Sequence, residues 1–312
     1  MVGGHDHSGS RGPLSPDLGH LHLETPAPQP ERLRRLGLAM GITALVMLAE
    51  VVGAWISNSL ALLSDAGHMF SHLFALGISY FAIVLSRRTA HPEKTFGYFR
   101  AEVLAAFINA IFLLGVTLWI GYEAVWRLIE PEGVKSTEML IVALLGLVAN
   151  GASVLLLFRV SGEDLNLKSA FAHVAYDTIS SVAVVGCAIV VMFTGFTPID
   201  PLVSLGIAAL ILIWSVRLLA ESGHILLEST PEDVDVEELK RDIENCPKVS
   251  YAHDIHAWQI TTDMYVLTAH IGLEDMPLSE ASDVVHNVNE VLRHEHHIGH
   301  STLQIEYADG SH

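Results

Sequence analysis

The chain has 312 residues, of which 51% are hydrophobic and 17% charged, and its mean hydropathy is +0.42. Soluble domains run near a quarter charged, so this composition sets aside a purely soluble protein and points to a membrane protein with a sizeable soluble part. The formal net charge of −18 gathers at one end, where residues 221–312 hold 4 Lys+Arg against 19 Asp+Glu. Such a surface repels nucleic acid and attracts cations.

Residues 1–31 read as a disordered tail in which His5, His7, His20 and His22 are scattered among Gly, Ser and Pro. The stretch is polar and carries no apolar core of a cleavable signal peptide. Six apolar segments follow within residues 32–221, at about 34–56, 61–86, 101–127, 137–159, 168–194 and 201–221. Each is long enough to cross a bilayer as a helix. The joins alternate in charge. Arg32, Arg34 and Arg35 precede the first segment, and Arg87, Arg88, Lys94 and Arg100 fill the second-to-third join. Arg159 and Lys168 bracket the fourth-to-fifth join, and Arg217 closes the sixth segment. The Ser57-Asn58-Ser59 join and the stretch from Thr194 to Asp200 carry no Lys or Arg. The positive-inside bias therefore puts both termini in the cytoplasm, as an even number of spans requires. Gly53, Ala54, Gly146 and Gly151 read as helix-packing positions, and Asn109 and Asn150 as interhelical hydrogen-bond partners.

Residues 222–312 read as a small α+β domain. Pro231-Glu232-Asp233 suits a helix start, with acidic residues in the first turn. Tyr251 to Ile260 and Met264 to Leu273 alternate as two strands joined by a turn at Thr261-Thr262-Asp263. Ser279 opens a helix to about His296, and Ser301 to Tyr307 alternates again. The order αββαβ predicts a three-stranded sheet backed by two helices. Cys187 and Cys246 fall in different halves, so neither a disulfide framework nor a thiolate site is expected, and each reads as a small packed residue.

Two ligand pairs stand out in the apolar half. His68 and His72 lie four apart in the second segment, and His173 and Asp177 four apart in the fifth. Residues at i and i+4 share a helix face, and ionisable groups inside a span mark a pathway or a site. Facing each other, the pairs would form a three-imidazole, one-carboxylate cage suited to Zn²⁺ and similar borderline cations. An imidazole must be neutral to ligate, so proton entry displaces metal and metal entry displaces protons. That is the minimal chemistry of metal/proton antiport. Asp65, one turn before His68, is placed to lie along the same access path.

A second constellation lies in the acidic tail, with His253-Asp254-Ile255-His256 on one strand, His270 on the next, and His300 and Glu306 flanking the last. On a regular strand His-x-x-His does not put both rings on one face, so ligands would be gathered from several strands or from two subunits. The His294, His296, His297 group reads as satisfying the carbonyls at a helix end. His91, in the second-to-third join, is a weaker candidate for a peripheral metal site.

These motifs resemble the cation diffusion facilitator family of zinc and related metal transporters, in its bacterial form. The carriers are Ser59-Leu-Ala-Leu-Leu-Ser-Asp-Ala-Gly-His68, His91-Pro-Glu-Lys-Thr-Phe-Gly-Tyr-Phe-Arg100, His173-x-x-x-Asp177, Asp200-Pro201 and His253-Asp-Ile-His-Ala-Trp258. The resemblance implies six transmembrane helices, a homodimer, and a ferredoxin-like cytoplasmic domain similar to a metallochaperone. It also implies divalent metal efflux in exchange for protons from a multi-pass protein of the bacterial inner membrane. Zn²⁺ would be substrate and regulatory ligand, with Co²⁺, Ni²⁺ or Cd²⁺ as further substrates. His68, His72, His173 and Asp177 would be the transport site, and His253, His256, His270, His300 and Glu306 the tail ligands. In one departure, His72 stands where zinc-type members usually carry Asp. The change removes an oxygen ligand and disfavours hard cations such as Mn²⁺.

Two other classes fit less well. An intramembrane metalloprotease needs a Glu after the first His of His-x-x-x-His, and Met69 stands there. A membrane metal sensor that carries nothing would share the tail but has no signalling motif to act through.

Overall fold

A computed structural model describes residues 30–86, 95–158, 165–261 and 264–308. The N-terminal His-bearing stretch, His91 and the turn residues Thr262 and Asp263 lie outside the described residues.

Six long helices come first: α1 (Pro30–Ser57), α2 (Leu60–Ser86), α3 (Arg100–Ile129), α4 (Ser136–Phe158), α5 (Leu165–Thr194) and α6 (Ile199–Leu226). Among the described residues, Met40–Ser57, α3 and α6 are long and apolar enough to cross a membrane, and Ser136–Gly151 and Thr178–Thr194 are shorter apolar stretches. α2 sits at the centre, packed against α1, α3, α5 and α6. The interior is built from small and aliphatic side chains, among them Ala54, Ala61, Leu62, Leu113, Met139, Ala143, Val184, Cys187 and Ala188. Large apolar residues cover the outside: Trp55, Trp119, Phe193 and Leu145 are all exposed. An outward apolar surface over an interior of small residues is the pattern of helices solvated by lipid.

Small residues bring α1 against α4. A Cβ at Gly53 would sit 2.6 Å from both Val142 methyls, and one at Gly146 would collide with the Glu50 carboxylate. Gly151, by contrast, has nothing within 4 Å. Both asparagines cross between helices: Asn109 donates to Ser71 Oγ at 3.4 Å and Asn150 to Ser181 Oγ at 3.0 Å.

The tail domain comprises α7 (Val236–Glu244), β1 (Val249–Thr261), β2 (Met264–Leu273), α8 (Leu278–Glu295) and β3 (His300–Tyr307). Its sheet order is β1-β2-β3, with β1 and β2 antiparallel and β2 and β3 parallel. The parallel pair requires a crossover, and α8 supplies it. Both helices cover one face of the sheet. The core between them holds Leu239, Ile243, Val284, Val288 and Leu292 against Leu267, Ala269, Ile271 and Leu273 of β2. α7 begins later than the Pro231 signal implies. Asp235 is its cap, in extended conformation, and accepts from the backbone N–H of Glu237 at 2.9 Å and of Glu238 at 3.4 Å. A short acidic side chain with β-region torsions is the better start signal, because it satisfies two otherwise orphaned donors.

α6 runs past its apolar stretch to Leu226, and the tail touches the helical half at the end of the bundle where α6 finishes. Thr261 Oγ1 donates to Glu102 at 3.1 Å, Arg100 pairs with Glu228 at 2.7 Å, and Phe96 meets His300 edge-on at 5.5 Å between ring centroids.

Candidate metal sites

α2 carries His68 and His72, and α5, packed against it, carries His173 and Asp177. The side chains of His72, His173 and Asp177 lie outside those described. His68 is half-buried and lines a cleft of about 480 Å³ between α2, α5 and α6, whose other walls include Ile179, Ser180, Val203, Ile207 and Trp214. Apart from His68 and Ser180 the lining is apolar, so an imidazole is the main polar group that the cleft offers.

Asp65 is buried, at 2% exposure, and does not line this cleft. Its Oδ1 accepts from Ser180 Oγ at 2.6 Å and its Oδ2 from Ser181 Oγ at 3.2 Å. With Asn150 donating to Ser181, one polar chain ties α2, α5 and α4 together. Asp65 thus pins α2 to α5.

A second buried carboxylate holds the start of α2. Asp200, in the first turn of α6 and 0% exposed, accepts from Ser59 Oγ at 2.5 Å, Leu60 N at 2.8 Å and Ala61 N at 3.3 Å. It caps a neighbouring helix whose first N–H groups have no partner in their own helix. Ser64 and Ser204 add a hydroxyl pair at 2.7 Å. Two carboxylates thus fix the height and rotation of the helix that bears His68. From sequence, Asp200 was legible only as part of a motif, because its donors lie 140 residues away in the chain.

In the tail, the open face of the sheet gathers three of the five expected ligands. His253 Nε2 lies 2.9 Å from Glu306 Oε2, and His270 Nδ1 lies 2.7 Å from Glu306 Oε1. The two rings are 5.1 Å apart between centroids. The ligand atoms of His253, His270 and Glu306 all lie within 4.8 Å of one another, close enough to share one cation. Hydrogen bonds from the two histidines hold the Glu306 carboxyl below its ordinary range.

The period-two argument against His253 and His256 sharing a face fails here for a local reason. His253 pairs with His270, but His256 pairs with Thr268, so β1 holds one residue more than β2 over this interval. Asp254 takes up the extra residue with a left-handed φ of 52°, a conformation that Asp tolerates better than most residues. The bulge brings both histidines to the open face. His256 Nε2 then bonds Asp254 Oδ1 at 3.0 Å, while Asp254 Oδ2 stands 3.8 Å from His270 Nε2. Asp254 is the ligand-type residue that sequence reasoning passed over. His300 is not brought to this group: it starts β3, six residues before Glu306, about 20 Å along a strand.

Residues 36–227 match the cation efflux transmembrane domain and residues 231–308 the cytoplasmic domain of cation efflux proteins. The chain belongs to the cation efflux family: it is a multi-pass integral membrane protein of a transporter family, not an enzyme. Among its relatives is the zinc transporter ZitB of Yersinia pestis, 40% identical over 281 residues, covering 89% of each chain. The metal cation efflux system protein CzcD of Cupriavidus metallidurans is 38% identical over 275 residues, 88% of this chain and 87% of that one. A cadmium, cobalt and zinc/H(+)-K(+) antiporter of Bacillus subtilis is 38% identical over 265 residues, 83% of this chain and 84% of its own.

Proposed function

We propose that the protein exports a divalent metal cation, zinc foremost, in exchange for protons, and that His68, His72, His173 and Asp177 bind the cation in transit. The reading has six spans, both termini in the cytoplasm of a bacterium, a ferredoxin-like tail, and a homodimer. The names of the relatives support the substrate class: zinc, with cadmium and cobalt beside it.

The observation that carries the site is the Asp65–Ser180 hydrogen bond. Short joins reverse the chain after each helix, so α2 and α5 run antiparallel. In antiparallel helices, steps forward on one match steps back on the other. From Asp65 to His68 is three residues, as from Ser180 back to Asp177; from Asp65 to His72 is seven, as from Ser180 back to His173. At 1.5 Å per residue these levels lie about 4.5 and 10.5 Å beyond the pinned pair. The register therefore supports His68 opposite Asp177 and His72 opposite His173, as a shared four-ligand site needs.

The mechanism follows from this donor set. A bound dication meets one carboxylate and three imidazoles, which leaves the occupied site with a single net positive charge. Each ring must shed any proton before it can ligate, so the side with more protons empties the site and the side with more metal fills it. The His68 cleft between α5 and α6 offers one route. Asp65 and Asp200 hold α2 while the other helices move. In the tail, His253, His270 and Glu306, with Asp254 and His256 beside them, would bind regulatory metal and draw two tails together. Unchanged metal dependence of transport in His253→Ala/His270→Ala would remove that regulatory step.

Uptake of Zn²⁺, Co²⁺, Ni²⁺, Cd²⁺ and Mn²⁺ into proteoliposomes under a pH gradient tests the whole reading. Zinc should move with the gradient and Asp177→Ala should abolish it, whereas His72→Asp should admit Mn²⁺ better than the parent. If no metal moves in either the parent or His72→Asp, the transport reading falls and a carrier-free sensor takes its place.

A further inference from the structure

The opposite side of the tail sheet holds a second group of ligand-type side chains. His296, which ends α8, reaches back to α7 and places its Nε2 2.9 Å from Asp242 Oδ2. The ligand atoms of Asp242, Glu295 and His296 all lie within 4.8 Å of one another. His296 is not spent on helix-end carbonyls, as its position in sequence suggests. Its side chain is 11% exposed and turned into the α7–α8 corner. Cys246 lies one turn after Asp242 on the same flank and is buried, its Sγ 3.4 Å from the Asp242 carbonyl. Burial, and then the carboxylates of Asp242 and Glu295, push the Cys246 thiol above its ordinary value. The sulfur bonds a backbone carbonyl and is not one of the three clustered ligand atoms, so Cys246 is a neighbour of the group and not a member of it.

We propose that Asp242, Glu295 and His296 form a metal site of their own, taking one Zn²⁺-class cation per chain and stapling the ends of α7 and α8. One imidazole and two carboxylates, with water in the fourth position, make a nitrogen and oxygen set of the kind that Zn²⁺ and Co²⁺ accept. The charge balance calls for a cation. Two carboxylates share the corner, and among the described residues neither is ion-paired with Lys or Arg. The nearby arginines are engaged elsewhere, Arg293 with Glu290 and Arg241 with the Glu237 carbonyl. The core of Leu239, Ile243, Val288 and Leu292 and the sheet itself separate this corner from His253, His270 and Glu306, so the two sites bind independently. The proposal does not rest on the transport reading, since metal held here need never cross the membrane.

The test is Co²⁺ and Zn²⁺ binding to the full-length protein in detergent. His253→Ala, His270→Ala and Asp177→Ala are introduced together to silence the other two candidate sites. One equivalent per chain should remain. Asp242→Asn/His296→Ala should remove that equivalent, and Cys246→Ser should leave it in place. His296→Gln separates a metal site from a mere ion pair, because an amide still bonds Asp242 but is a poor zinc ligand. It should keep the parent's circular dichroism while losing the metal. Absence of that equivalent in the parent background, or an equivalent that survives both His296→Gln and the double substitution, overturns the proposal.

Discussion

Asp65→Ala is the sharpest test of how this molecule sets its site. The substitution removes two hydroxyl-to-carboxylate hydrogen bonds, of 2.6 and 3.2 Å, between α2 and α5. Hydrogen bonds to charged groups contribute about 1.5–3 kcal/mol each, and two sharing one carboxylate give less than their sum. Two effects offset the loss. Ser180 can turn its hydroxyl to a carbonyl of its own helix, and Ser181 keeps the Asn150 donor. Removing a buried carboxylate also relieves its desolvation. A net cost of about 2 kcal/mol remains, and expressed in cation binding that is on the order of a thirtyfold loss of affinity. Isothermal titration with Zn²⁺ on protein in which His253, His270, Asp242 and His296 are replaced would measure it, with thermal unfolding alongside. Asp65→Asn keeps one acceptor and should fall between Ala and the parent. If Asp65→Ala binds and carries zinc as the parent does, the pin does not set the register, and the opposition of His68 to Asp177 loses its support.

Three further outcomes follow from the same geometry. Asp200→Ala should cost about 3 kcal/mol in detergent unfolding, a lost cap plus unpaired buried donors at the start of α2, and Asp200→Asn should cost less. Gly53→Ala should destabilise by roughly 1–3 kcal/mol, since its methyl would overlap both Val142 branches; pairing it with Val142→Ala should recover much of that. Glu306 has a depressed pKa in the folded chain, so its stabilising contribution is in full force above the ordinary carboxylate value and is lost as pH falls through the depressed one. Tail unfolding of the metal-free protein should therefore grow easier on acidification below that ordinary range, and Glu306→Gln should flatten the dependence.

Period and length made the architecture readable. The ends of the observed helices fall within a few residues of the apolar segments, and Met264–Leu273 is one strand in both descriptions. What escaped were features that depend on a partner remote in sequence. The cap that Asp200 supplies to α2, the pin from Asp65 to Ser180 and the His296–Asp242 contact all join elements far apart in the chain. Asp65 was visible as a charged group in an apolar segment and Asp200 only as part of a motif, and nothing local named the donors of either. The bulge at Asp254 escaped for a different reason. Strict alternation is the default for a strand, and a single left-handed residue overturns it without changing composition.

These features bear on how the proposed site would work with His72 at the position where the family resemblance leads to an expectation of aspartate. A carboxylate at that level would contribute charge as well as a ligand, and its loss leaves the site to be assembled by position. Asp200 fixes the start of α2, and Asp65 locks its rotation against α5 one turn before His68. A neutral nitrogen donor held at a fixed height loses little of its metal affinity to disorder, because the helix does not have to be drawn into place by the cation. In the proposed site the exchange would alter what is accepted. Three imidazoles and one carboxylate favour borderline cations over hard ones, and they put one more titrating group in the path of the proton. In His72→Asp, zinc transport should therefore depend less steeply on pH, while the register set by the two buried carboxylates stays as it is.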